Sequence, residues 1–393
     1  MPGRGTAGAD VVKRERIVIV GGSVAAVTAA SALRADGFPG EVVLLSEETR
    51  PPYSRVPLSK GFLAGTDTAA TIELPSLSED VEVRLATRAE RLDVAGCALH
   101  LAGGEPLSFD GLLICTGARA RTLAGPAQRG EHLVRSIEDV LRIRAQLPQV
   151  SSAIVLGAGF LGTEVAATLT GLGIDVRVIT IGRPLVSHVG EWMADVLVRR
   201  ARERGVVFES AASAVEVLGN PLSAVRVDAS VVREADIVIS AVGDAPNVDW
   251  LTGSGLPIEG GVHVDAAGLA APHIGAAGDV AAVADGTTVR RSPNWTSAVT
   301  QARAVARNLM NGTRSPIAFD PYHWTEQFGL SLKISGPMRC AGQPEILGGD
   351  PAQDSALLRW RHADGSYTAA ALNYPVPVAK LKRLAARTAQ LTG

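Results

Sequence analysis

Four short apolar runs stand out along the chain, unbroken at residues 17–20, 42–45 and 154–156 and interrupted only by Arg177 at 176–179. A run of that length with no polar alternation is expected to be buried on both faces, as in a parallel strand. Within each pair of runs lie Gly-rich residues followed by an Ala/Leu-rich stretch of helical length. The pattern strand–turn–helix–strand is therefore written twice, once from Gly21 and once from Gly157, a separation that fits two α/β domains. Residues 112–115 predict a further strand ending in Thr116-Gly117-Ala118, and residues 237–242 another ending in Gly243-Asp244-Ala245-Pro246. Beyond about residue 320 the texture changes to aromatic, Gly-punctuated segments. A hairpin of residues 356–362 and 367–372 turns at Ala363-Asp364-Gly365, and a basic helix over 378–389 follows, which together read as a small α+β domain.

Composition narrows the function classes. A length of 393 residues suits two or three domains. The formal charge of −2 offers no general field for nucleic acid or an anionic membrane, so neither is expected as a partner. A hydrophobic content of 46% excludes wholesale disorder. The 42 glycines exceed the usual share of about 7% without a collagen-like period, which points to tight turns and close backbone approach to ligands. Cys97, Cys115 and Cys340 are far apart and odd in number, so no disulfide framework is expected, and the seven histidines show no metal-ligand spacing. Lys13, Arg14 and Arg16 ahead of a mostly apolar stretch to Leu33 imitate a secretory signal, but the same stretch carries the first glycine turn. A soluble, cytoplasmic protein is expected, with the polar residues 1–13 disordered.

The two turns carry the chemistry. In the first, Gly21 allows the tight turn, Ser23 is small enough for the backbone to approach a pyrophosphate, and Ala26 permits close helix–strand packing. Glu47 follows the second strand, where a carboxylate would hold a ribose hydroxyl. The second turn, Gly157-Ala158-Gly159-Phe160-Leu161-Gly162, is a complete G-x-G-x-x-G between a strand and a helix. Its second strand ends at Thr180 instead of an acid, and Arg183 stands nearby as a candidate contact for a 2′-phosphate. Two such turns imply two dinucleotides, typically a nicotinamide that passes hydride to a flavin. Ala276-Ala277-Gly278-Asp279-Val280 is similar to the A-x-G-D segment whose Asp bonds a flavin ribityl chain.

With Pro51-Pro52-Tyr53-Ser54-Arg55-Val56-Pro57-Leu58-Ser59-Lys60 the chain resembles the FAD-dependent, NAD(P)H-using ferredoxin reductases that serve haem monooxygenases and Rieske dioxygenases, a branch of the glutathione-reductase-like fold. Thr116-Gly117-Ala118, Leu133-Val134-Arg135-Ser136, Glu164, Gly243-Asp244-Ala245-Pro246-Asn247, Trp295 with Ala298 and Gln301, and Pro321-Tyr322-His323-Trp324-Thr325-Glu326-Gln327 extend the likeness over most of the chain. The resemblance implies an α/β fold of two Rossmann-like dinucleotide-binding domains plus a small α+β C-terminal domain. The FAD domain would be discontinuous, 1–121 and 244–320, with the NAD(P) domain at 122–243 and the C-terminal domain at 321–393. Arg55, Lys60 and Arg135 would contact FAD, and Glu164 and Trp295 would border the stacked nicotinamide and flavin, with Lys60, Glu164 and Trp295 the residues nearest the chemistry. The partner implied is an iron–sulfur ferredoxin, for which Lys380, Lys382, Arg383 and Arg387 offer a basic docking face.

Three features depart from the family: Ser23 for a usual Gly, Thr180 for the acid that selects NAD, and Pro293 for a usual Glu. No two cysteines have the spacing of a dithiol beside a flavin, so disulfide reduction is not expected. Thr180 and Pro293 keep open an alternative: a flavin oxidase or dehydrogenase acting directly on a small organic molecule. An FAD-binding redox sensor is the non-enzymatic reading.

Overall fold

The computed structural model describes residues 14–285, 288–319 and 321–386, so the expectations for residues 1–13 and for Arg387 lie outside it. The signal-like stretch is a strand, Arg16–Val20, and a helix, Val24–Ala35. The described chain forms two compact units. One comprises residues 14–53, Leu74–Ala118 and Pro246–Phe319, and the other Ser54–Glu73, Arg119–Ala245 and 321–386.

In the first unit Arg16–Val20 lies between Glu41–Leu45 and Gly111–Ile114, parallel to both. The sheet continues to Val81–Arg84 on one side and to Ile274–Ala276 and Leu269–Ala271 on the other. Ile17, Val18 and Ile19 are fully buried, which is why the run is apolar at consecutive positions. Helices Val24–Ala35 and Trp295–Asn311 share one core cluster, in which Ala25, Ala26, Ala29 and Ala30 join Ala298, Ala302 and Ala306. Side chains this small let the two backbones pack closely without voids. The long helix starts where the Asn294 side chain accepts from Ser297 N at 2.9 Å, and it ends at Gly312, φ 65°.

The second unit holds a fully parallel sheet in the order Val207–Ala211, Asp175–Ile181, Ser152–Leu156, Ile237–Ser240, Glu131–Leu133. It also holds an antiparallel sheet of Tyr322–Gln327, Leu330–Ser335, Tyr367–Leu372, Ser355–Arg361 and Glu345–Asp350. The expected hairpin is present, with Arg361 opposite Tyr367. The final helix is shorter than expected, Val378–Ala385, because Ala386 is extended at φ −63°, ψ 144°. Within this unit the short helix Val186–Val189 receives residues near Cys340. Arg339 N donates to His188 O at 3.1 Å and Arg339 Nε to Ser187 O at 2.9 Å.

Gly190 sits at φ 79°, and a Cβ there would fall on the Cys340 carbonyl. Gly173 has a similar φ of 82° but open space around it. Gly173→Ala is therefore expected to cost only left-handed strain, about 1–2 kcal/mol. Gly190→Ala adds a backbone clash and is expected to cost about 1–3 kcal/mol more. Urea unfolding of the two variants checks the difference, and equal midpoints would refute the contact at Cys340.

Candidate functional site

At the first turn, Gly21 has φ 132°, and a Cβ there would lie on the Cys115 carbonyl. Its N–H donates to Leu45 O at 2.8 Å, which seats the turn on the sheet. Ser23 is the N-cap of Val24–Ala35, yet its side chain makes no capping bond and the first helical turn carries no acid. By contrast, helix Ile137–Gln146 has a complete capping box of Ser136 and Asp139. The first turn thus leaves its helix N–H groups facing outward, as binding of a pyrophosphate requires. Ala26 is fully buried.

The structure brings the Gly278-Asp279 segment to this turn. Gly278 N donates to Gln301 Oε1 at 2.8 Å, and a Cβ on Gly278 would come within 3.1 Å of Ala25 Cβ. The backbone carbonyl of Asp279 accepts from Arg291 Nε at 2.7 Å. Gln301 is 1% exposed, and its Nε2 finds no acceptor among the described residues. Two motifs that lie far apart in sequence also meet here. Thr116 Oγ1 donates to Asn247 O at 2.8 Å, Asn247 Nδ2 donates to Thr116 O at 2.9 Å, and Gly117 O accepts from Asn247 N at 3.0 Å. Trp295 opens the long helix half-buried, preceded by the exposed Pro293. Glu47 is exposed after its strand, whereas the neighbouring Glu48 accepts from Tyr53 Oη at 2.6 Å. The uncapped helix start, the glycines and the orphaned Gln301 amide fit a bound FAD.

At the second turn Gly157 has φ 99°, with a Cβ falling on Ala241 O, and a Cβ at Gly162 would fall on Gly157 O. Gly159 is the N-cap of Phe160–Gly171, which again has no side-chain cap and no acid in its first turn. This turn fits a second dinucleotide for the same reasons. Thr180 is half-exposed, and its hydroxyl donates to Ile181 O at 3.4 Å. Arg183 is engaged by Glu191 and Asp195, each at 2.8 Å.

Glu164, on helix Phe160–Gly171, is 8% exposed. Its Oε2 accepts from Ser59 Oγ at 2.7 Å and from Lys60 Nζ at 2.5 Å, and its Oε1 accepts from Thr325 Oγ1 at 2.7 Å. Ser59 and Thr325 are both 2% exposed. Ser59 is itself fixed, since Thr168 Oγ1 donates to its carbonyl at 2.7 Å. The short turn Val56–Ser59 begins with Pro57 in its first residues and delivers Ser59 and Lys60 together. Nearby in sequence, Arg55 Nη1 donates to Arg135 O at 2.5 Å, just before the box-capped helix. The roles of Ser59 and Thr325 escaped the sequence reading. They stand 105 and 161 positions from Glu164, so no local spacing could pair them with it.

All three cysteines are free. Burial pushes the Cys115 thiol well above its ordinary range and the Cys340 thiol up to about 11. The nucleophile in thiol chemistry is the thiolate, so neither is poised for disulfide exchange. Among the described residues no cluster of potential metal ligands occurs, and no helix is long and apolar enough to cross a membrane.

Residues 15–302 match the pyridine nucleotide-disulphide oxidoreductase family. The chain is 32% identical over 366 residues to the ferredoxin–NAD(+) reductase component of an anthranilate 1,2-dioxygenase system from Burkholderia cepacia, covering 90% of this chain and 89% of the relative. A solved ferredoxin reductase from Rhodopseudomonas palustris superposes with a TM-score of 0.85 at 28% identity, over 92% of this chain and 91% of that one. The covalent complex of putidaredoxin reductase with putidaredoxin gives 0.84 at 25% identity, over 95% and 93%. With two uncapped glycine turns, a buried Glu164 paired with the half-buried Lys60, and no dithiol, the chain belongs to the pyridine nucleotide-disulphide oxidoreductase family, in its branch of ferredoxin reductases.

Proposed function

We propose that this protein is an FAD-dependent oxidoreductase that draws hydride from NAD(P)H and delivers electrons singly to an iron–sulfur ferredoxin of a monooxygenase or dioxygenase system. The observation that carries the reading is the pair of uncapped glycine turns, one in each compact unit, in a chain whose relatives are ferredoxin–NAD(+) reductases. Those relatives favour it over direct oxidation of a small organic molecule. In this reading the FAD domain spans 1–121 and 244–320, the NAD(P) domain 122–243 and the C-terminal domain 321–393. A cytoplasmic location belongs to the same proposal.

Gly21, Ser23, Ala26, Glu47, Gly117, Asp279 and Trp295 hold FAD, with Arg55, Lys60 and Arg135 keeping the flavin contacts the family resemblance assigns. Gly157, Gly159 and Gly162 seat the coenzyme pyrophosphate, with Thr180 at its ribose. When bound, FAD supplies two-electron acceptance and one-electron release. A hydride shift needs no side chain to give or take a proton, so the residues act by positioning and by excluding water. Glu164 serves this by holding one orientation before any ligand arrives, since both its oxygens already accept hydrogen bonds.

Anaerobic mixing of the purified yellow protein with NADH tests the reading. The flavin band is expected to bleach and to recover when an oxidised ferredoxin is added. A band that stays oxidised with both NADH and NADPH would restore the oxidase alternative.

Asp279→Ala removes the side chain expected to bond the ribityl chain. It should lower FAD retention by about 1–3 kcal/mol. The measurement is the FAD-to-protein ratio after long dialysis, and an unchanged ratio would remove Asp279 from the site.

On the final helix Lys380 and Arg383 are exposed, whereas Lys382 is half-buried with its ammonium 5.6 Å from the centre of the Tyr322 ring. Lys380→Gln with Arg383→Gln should slow ferredoxin reduction at low salt, and the difference from wild type should vanish as screening shortens to about 10 Å at 0.1 M. A wild-type rate independent of ionic strength would rule out docking by this face.

A further inference from the structure

In a strand–glycine turn–helix–strand unit the adenosine ribose of a bound dinucleotide lies past the end of the second strand, where the side chains decide between a 2′-hydroxyl and a 2′-phosphate. Here that strand is Asp175–Ile181, and the loop after it is fixed at both ends. Ser210 Oγ donates to Gly182 O at 3.1 Å, and Leu185 N donates to Ala158 O, inside the glycine turn, at 2.9 Å. Thr180 brings no charge to the strand end. With a cation three residues on, the sequence alone suggests a site that tolerates the 2′-phosphate.

The geometry says otherwise. Arg183 Nη1 donates to Glu191 Oε1 and Nη2 to Asp195 Oδ1, each at 2.8 Å. Both acids lie on helix Glu191–Glu203, spaced so that they face the same side. One guanidinium between two carboxylates leaves the trio with a net charge of −1. A 2′-phosphate that took Arg183 would have to displace both carboxylates and then sit against them.

We propose that Glu191 and Asp195, by holding Arg183, are specificity-determining residues that make this chain favour NADH over NADPH without an acid at the strand end. The inference rests on the reading of the Gly157 turn as the coenzyme site. The three side chains are 54%, 72% and 68% exposed for Arg183, Glu191 and Asp195, so each ion pair alone is weak and solvent-screened. The discrimination comes from the sign of the whole trio. Removing both acids turns the site from −1 to +1 and frees the donor fork of Arg183 for phosphate.

The test is calorimetric titration of the oxidised, FAD-loaded protein with NAD+ and with NADP+, so that no turnover is involved. Wild type, Glu191→Gln/Asp195→Asn, and the same pair combined with Arg183→Ala are compared, with FAD content confirming that each is folded. Wild type is expected to bind NAD+ at least about tenfold more tightly than NADP+. The double variant should tighten NADP+ by about tenfold while NAD+ moves by less than about threefold, and Arg183→Ala should abolish that gain. An unchanged Kd for NADP+ in the double variant, or a gain that survives Arg183→Ala, overturns the proposal. Failure of every protein to bind either dinucleotide overturns the coenzyme reading and the proposal together. That result is distinct from retained NAD+ binding with no gain.

Discussion

A carboxylate taken out of water is tolerated only where donors replace the lost solvent, and Glu164 meets that condition with three. Its partners come from separate stretches of chain: Ser59 and Lys60 beside the Pro57 turn, and Thr325 in the antiparallel sheet. Much of the second unit is organised by this requirement. Segment 54–73 belongs to the same compact unit as the parallel sheet and residues 321–386, and not to that of the strands that flank it in sequence. Thr168, one turn beyond Glu164 on the same helix, secures the Ser59 carbonyl, so helix and segment are tied at two points. A side chain held this way is preorganised for chemistry and also marks correct assembly of its unit.

The two glycine turns show one design adapted twice. At the third glycine position the first turn accepts Ala26, whereas the second needs Gly162 because a Cβ would strike the Gly157 carbonyl. Both helices start without a side-chain cap, while Ile137–Gln146, in the same chain, is fully boxed. At these two glycine turns the orphaned N–H groups stand where a pyrophosphate would supply the acceptors. Reduction of a disulfide by a flavin needs a dithiol beside it, and the three cysteines of this chain are free and none is spaced as a dithiol. Its buried, high-pKa Cys115 packs behind the first turn, against Gly21. Electrons must therefore leave by another route, as they do in relatives that serve ferredoxins.

Most of the parallel sheets was legible from the sequence because burial on both faces favours apolar runs, broken in the second sheet where Arg177 pairs with Glu209, and the glycine turns announce themselves through backbone demands no other residue meets. Ends of elements were less legible. The last helix stops at Ala385 though its basic pattern runs on, since nothing in the sequence there forbids another turn. The site was legible as residue types and not as partnerships. Thr116 and Asn247 are individually unremarkable, and their mutual bonds exist only because two strand ends converge. Arg183 looked available for phosphate, and only the helix that brings Glu191 and Asp195 over it reveals that it is engaged.

The central claim is that Glu164 and Lys60 form one energetic unit on which the second unit of the fold depends. A double-mutant cycle on the FAD-loaded protein tests it, using urea unfolding of wild type, Lys60→Met, Glu164→Gln and the combined variant. Lys60→Met alone is expected to cost about 3 kcal/mol or more, because it leaves Glu164 buried without its cation. Adding Glu164→Gln should recover part of that loss, giving a coupling energy of about 1–3 kcal/mol. Single effects that simply add, to within about 0.5 kcal/mol, would show two independent side chains and contradict the account.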